Sequence, residues 1–179
     1  MTVRYTYFGI APAIALGALF LSPASAQSSS SGTIGVSLVV QNACVVNGAN
    51  SVQSNVGSIG NIAFADQPGI FGDVDGELVG SLGALQVLCS PGVLPELTIG
   101  SGDNAASGTR YMASAGNSLP YRLYTDAQRA NEIGIGQRLS LGTATTDPII
   151  VPIFARVNSG GNVVAAGTYT DTVLVTLSW

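Results

Sequence analysis

The chain has 179 residues, of which 46% are hydrophobic and only 9% charged, with six arginines against ten acids, no lysine and a formal net charge of −4. It has no histidine, which removes the usual general base, the Ser–His nucleophile pair and His-ligated metal sites. Nucleic-acid binding and adhesion to anionic membranes need clustered positive charge, and the arginines here are too few and too scattered to supply it.

In chain order, Arg4 is followed by an apolar run over residues 8–21 and then Ser22-Pro23-Ala24-Ser25-Ala26, ending in Ala-x-Ala. Charge, short apolar stretch and small residues in that order form a secretory signal peptide, predicted to be cleaved after Ala26. The alternative, a membrane anchor, is disfavoured because the run is shorter than a span and contains Pro12. The mature chain is then long enough for one domain, and no second apolar stretch is suited to stable membrane insertion.

Gln27 and the serines 28–31 form a polar linker. Next comes an alternating segment in which Ile34, Val36, Leu38 and Val40 share one face and Thr33, Gly35 and Ser37 the other, the period-two signature of a strand. The pattern by itself admits an edge strand of the chain's own domain or an arm that pairs with another molecule. Further strands are predicted over residues 58–64, 82–89, 94–99, 119–124, 149–157 and 169–179, separated by Gly, Asn, Asp, Ser and Pro. Pro152 lies inside one of these runs and is expected at an edge or a bulge, because proline has no ladder donor. In the last strand Tyr169, Val173, Val175, Leu177 and Trp179 share a face with Asp171. No helical stripe appears after residue 26, so the expected class is an all-β sandwich or barrel.

Cys44 and Cys89 are the two cysteines, and an even count behind a signal peptide predicts a disulfide. A pair of metal-binding thiols is the other reading, with neither CxxC spacing nor histidine to favour it. Asp73-Val74-Asp75-Gly76-Glu77 gathers oxygen ligands but lacks the spacing of a calcium loop, and is read as a solvated acidic turn. Tyr121 and Tyr124 are three apart on a strand and so on opposite faces, a poor platform for a sugar. Residues 126–132 are read as one helical turn or a polar loop. No cofactor, no metal and no catalytic activity are expected.

Four blocks together resemble the spore coat protein U domain family, which includes subunits of archaic chaperone–usher pili. They are the alternating segment Gly32 to Val40 running into Asn42-Ala43-Cys44-Val45-Val46; Leu85-Gln86-Val87-Leu88-Cys89; the stretch from Leu119 to Arg129, with Tyr121-Arg122-Leu123-Tyr124-Thr125-Asp126-Ala127-Gln128-Arg129 at its heart; and Val151-Pro152-Ile153-Phe154-Ala155 with the closing stretch from Ala166 to Leu177. Residues 66–79 match poorly and are read as a variable loop. The resemblance implies an incomplete immunoglobulin-like β-sandwich completed by a donor strand from another chain. Residues 1–26 are then the signal peptide, 27–40 the linker and donor strand, and 41–179 the sandwich domain.

On that resemblance Ile34, Val36, Leu38 and Val40 are the donor side chains, and Tyr169, Val173, Val175, Leu177 and Trp179 line the acceptor groove. Four buried aliphatic side chains would contribute roughly 6–12 kcal/mol before ordering costs. The implied partners are identical or related subunits joined head to tail, a periplasmic chaperone and an outer-membrane usher. The implied destination is the periplasm and then the cell surface, in a pilus serving adhesion or biofilm formation. The alternatives are a secreted carbohydrate- or receptor-binding sandwich and a coat-type structural protein.

Overall fold

A computed structural model describes residues 27–179; the predicted signal peptide lies outside the described residues. The chain divides into two units, Met1–Leu38 and Val39–Trp179. In the first, residues 27–38 form no strand and their side chains are exposed. The alternating segment predicted as a strand therefore has the pattern of one without a ladder. A strand needs a neighbour to bond to, and none is assigned to residues 32–40.

The second unit is all-β, with no helix among the described residues. Its strands are β1 (Cys44–Val46), β2 (Asn61–Ile62), β3 (Val74–Val79), β4 (Leu85–Cys89), β5 (Glu96–Ile99), β6 (Arg110–Ser114), β7 (Asn117–Tyr124), β8 (Arg138–Ser140), β9 (Ile149–Val151), β10 (Phe154–Val157) and β11 (Val175–Ser178). They form a five-stranded sheet, β2-β3-β10-β7-β6, and two three-stranded sheets, β1-β4-β9 and β11-β5-β8, with antiparallel pairing in every strand pair. Inward residues of the small sheets (Leu85, Val87, Leu97, Ile99) and of the large one (Leu119, Leu123, Ala155, Val157) belong to one buried cluster, which makes the unit a two-layer sandwich.

The Cys44–Cys89 disulfide joins residues directly opposite each other on β1 and β4. It closes a sequence separation of 45 residues, and constraining a loop of that length in the unfolded chain stabilises by up to about 4 kcal/mol. It reinforces the three-residue ladder and the flanking backbone bonds that hold β1 to β4.

Several predicted elements differ in extent. The run over residues 149–157 is two strands in two sheets: β9 pairs with β4, and β10 lies between β3 and β7. Pro152 falls at the switch, where the ladder is interrupted in any case. The acidic stretch at 73–77 and most of the loop read over 66–79 are a correction: Val74–Val79 is β3, a six-residue strand inside the large sheet. Val74, Gly76 and Leu78 face inward, while Asp75 and Glu77 face solvent. Arg156 bridges Asp73 and Asp75, with Nε–Oδ1 at 2.7 Å to Asp75 and Nη1–Oδ2 at 3.2 Å to Asp73. Strands β1, β6 and β8 lie outside the expected runs as well.

Residues 126–132 form a turn, not a helix. The Asp126 carboxylate accepts from the backbone N–H of Ala130 at 3.1 Å and of Asn131 at 2.8 Å. That tight cap puts Arg129 at φ +57°, and its guanidinium lies over the Phe154 ring, 5.5 Å from the centroid, with Nε 3.1 Å from Asp75. The Asp-x-x-Arg stretch is thus a brace that seals the outer face of β10. Tyr124 is buried on the outer side and Tyr121 on the inner side, so neither is displayed to a sugar.

Candidate functional site: an open apolar groove

A groove of about 1050 Å³ opens in the second unit. Its depths are apolar, with Leu85, Val87, Leu97 and Ile99 from the small sheets facing Leu123 and Ala155 from the large one. Two end strands stand on its rim: β1 terminates the order β1-β4-β9 and β11 terminates β11-β5-β8. Each pairs on one side only, so its other side carries backbone N–H and C=O groups with no ladder partner.

The chain reaches β11 by an extended path along the groove. Thr170 pairs with Ala113 of β6, N–O 3.1 and 2.9 Å. The carbonyl of Thr172 then accepts from Asp103 N–H at 3.1 Å, and that of Leu174 from Gly100 N–H at 2.8 Å. Only Val175–Ser178 forms a ladder, with β5. The predicted eleven-residue strand is therefore shorter as a strand but continuous as an extended segment, starting on the large sheet and ending on a small one. Gly102, at φ +86°, allows this crossing: a Cβ there would run into the Asp171 carboxylate.

Tyr169, Val173, Val175, Leu177 and Trp179 all line the groove, together with Asp171. The first four pack against the core while remaining half-buried, and Trp179 is 50% exposed. A row of aliphatic side chains normally finds cover, and this one is covered on one flank only. Ile34, Val36, Leu38 and Val40 are 91%, 91%, 86% and 81% exposed. An uncovered run of alternating aliphatics is uncommon at a protein surface.

Two parts of the site were not legible beforehand. Residues 51–58 are exposed throughout, and all but Val52 line the groove, a largely polar strap between β1 and β2. At one end the groove turns polar: Tyr121 O–H donates to Asp171 Oδ2 at 2.6 Å, while Asn104 donates its backbone N–H and Nδ2 to Asp171 Oδ1 at 3.1 and 2.9 Å. Burial and the bond to Asp171 both push the Tyr121 hydroxyl well above the usual tyrosine range, so it stays a proton donor. Among the described residues no three His, Cys, Asp or Glu side chains gather for a metal, and no helix is long and apolar enough to cross a membrane.

Three solved structures are similar at low identity. One is the CsuC–CsuE chaperone–tip adhesion subunit pre-assembly complex from archaic chaperone–usher Csu pili of Acinetobacter baumannii, 19% identical over 78% of this chain and 40% of that one, with a TM-score of 0.47. A second is a chaperone–tip adhesin complex of CFA/I fimbriae biogenesis, 16% identical over 76% and 41%, with a TM-score of 0.42. The third is a chaperone–usher pilus, 16% identical over 87% of this chain and 99% of that one, with a TM-score of 0.41. The chain spans about two-fifths of the length of the first two. No curated protein matches it. The profile of the Spore Coat Protein U domain matches residues 30–176, most of the chain, and the protein belongs to that family.

Proposed function

We propose that this protein is a structural subunit of a surface pilus, polymerising head to tail by lending residues 32–40 to the open groove of the next copy. The observation that carries this is the pairing of two incomplete things. A groove bounded by unpaired sheet edges lacks a strand, and an alternating apolar segment has the pattern of a strand but no ladder. Nine extended residues span roughly 30 Å, commensurate with the roughly 36 Å of the eleven residues 169–179. Backbone bonds to the edge supply attraction, and the side chains Ile34, Val36, Leu38 and Val40 set the register. A heterologous contact of this kind does not close and so builds a fibre.

An empty groove of this kind would aggregate, which calls for a temporary occupant before assembly. On this reading the occupant is a periplasmic chaperone, exchange takes place at an outer-membrane usher, and residues 1–26 are removed on export. The similar solved structures include chaperone-bound subunits of other pili. The role is architectural, with no catalytic step.

The test is assembly of the mature chain against a variant lacking residues 32–40, each co-expressed with its neighbouring periplasmic chaperone. Unboiled electrophoresis and electron microscopy should show a ladder and thin fibres from the intact chain and neither from the truncated one. Soluble, chaperone-independent monomers from both would show a fold complete in itself, and would leave a secreted binding module as the better reading.

A further inference from the structure

The aliphatic face of the arm and the inward face of β1 are in phase. Ile34, Val36, Leu38 and Val40 occupy even positions, and the same parity continues through Asn42 to the buried Cys44. A backbone ladder does not read side chains, and a slip by an even number of residues keeps both its bonding pattern and its faces. At present Cys44 lies opposite Cys89 and Val46 opposite Val87. A slip of eight residues would set Val36 opposite Cys89, Leu38 opposite Val87 and Val40 opposite Leu85. That ladder would cover the whole of β4, whereas β1 has only three residues. It would also bring three aliphatic side chains, now 91%, 86% and 81% exposed, to the buried face in place of a cysteine and a valine. The connection to β2 would grow by residues 41–46, and closure entropy rises only slowly with loop length. Against the slip stand the contacts of Asn47, whose Oδ1 accepts from Gln86 N–H and whose Nδ2 donates to the Ile59 carbonyl, both at 3.1 Å. The bonds of Ala43 to Ser90 use backbone groups that other residues supply equally well. The disulfide, by contrast, joins residues directly opposite each other and forbids every other register.

We infer that the Cys44–Cys89 bridge is a register lock, which keeps residues 36–40 from displacing β1 on the edge of β4. The competition it settles is between two stretches of one chain for one sheet edge, and the stretch it excludes is the more apolar of the two. The consequence for assembly rests on the donor-strand reading above: an arm barred from its own β4 remains available to another copy. The lock itself does not depend on that reading.

The experiment uses the mature chain, dilute enough to be monomeric by light scattering. In Cys44→Ser/Val36→Cys the slipped register sets the new thiol opposite Cys89, within reach of a bridge. Oxidised glutathione should form that intramolecular bridge, read by peptide mass mapping, at least about tenfold faster than in Cys44→Ser/Ser37→Cys, whose thiol faces the other way. A thermal cycle reads the same competition without new cysteines. Leu38→Asp should leave the melting temperature of the bridged chain within about 1 °C, because Leu38 is exposed there, and should lower that of Cys44→Ala/Cys89→Ala by roughly 5 °C, because the arm then holds the edge of β4. Equal bridging from positions 36 and 37, or the same effect of Leu38→Asp with and without the bridge, would overturn the inference. So would a bridgeless chain that fails to fold with its arm intact, since the arm would then not replace β1. The donor-strand reading is tested separately, by anisotropy of a fluorescein-labelled peptide of residues 31–41 added to the bridged Leu38→Asp chain, whose own arm is disabled. No binding would remove that reading, while the lock stands or falls on the first two measurements.

Discussion

Asp75 shows how one side chain can bind three parts of the chain together. It sits on β3, pairs with Arg156 on β10 through two bonds of 2.7 and 3.1 Å, and meets Arg129 from the 126–131 turn. The Arg156 bonds, with the charges of both arginines, hold its carboxyl below the usual aspartate value of 3.8, outweighing the small cost of burial. A folded value below the unfolded one means that the stabilisation is complete above about pH 4 and disappears as the pH falls through the folded value. The cluster is partly exposed, so the amount is at most about 1 kcal/mol. Asp126, lowered by the backbone N–H of Ala130 and Asn131, adds a second contribution of the same sign. In urea titrations between about pH 2.5 and 6, Asp75→Asn should show a shallower loss of stability toward acid than the parent. Parallel curves would remove Asp75 from the acid response.

Legibility from sequence at the level of the element depended on whether a strand's inner face was apolar and its partner lay within the chain. β4, β5 and β7 alternate cleanly against the core, and all three were legible. β3 was hidden because its outer face is Asp75 and Glu77 and its inner face includes Gly76, so that charge and glycine together look like a turn. β6 was hidden for the opposite reason: its buried position is Arg110, a charge made tolerable by four carbonyls from residues 10–24 positions away, which no local pattern reveals. The groove face of residues 169–179 was legible as an alternation. The strap at 51–58 and the Tyr121–Asp171 bond were not, because both depend on how distant segments meet.

Residues 32–40 are the reverse case, a legible strand with no partner, and their two faces give a prediction specific to the element. Leu38→Asp on the aliphatic face would remove a burial and bury a charge. That costs at least about 3 kcal/mol, more than a hundredfold in donor affinity. Ser37→Asp on the other face should cost no more than about 0.5 kcal/mol. Competition of the two variant peptides against the labelled parent peptide measures this directly, and equal losses would show that the segment does not bind as a strand.

The distribution of charge over the whole molecule shows what kind of association it can support. There is no charged residue and no lysine between Arg4 and Asp66, and no proline between Pro23 and Pro68. That span holds the arm, β1, the strap and β2, with none of the lysines or prolines that natural edge strands use to prevent pairing. The groove contributes only Asp103 and Asp171 as charges, both at its polar end. Beyond residue 26 ten acids face five arginines, so on the proposed mode of assembly two copies would repel each other weakly at a distance and then join through an uncharged contact. Electrostatically steered complexes lose association rate steeply as salt rises; here the long-range charge opposes encounter, and screening it can only help. Fibre growth followed by light scattering should therefore hold steady or quicken by a few fold as salt rises from about 0.02 to 0.5 M, over which the screening length shrinks from roughly 20 to roughly 4 Å. A growth rate that instead fell tenfold would mean that subunits meet through a charged surface before the arm engages, and that recognition does not reside in the groove alone.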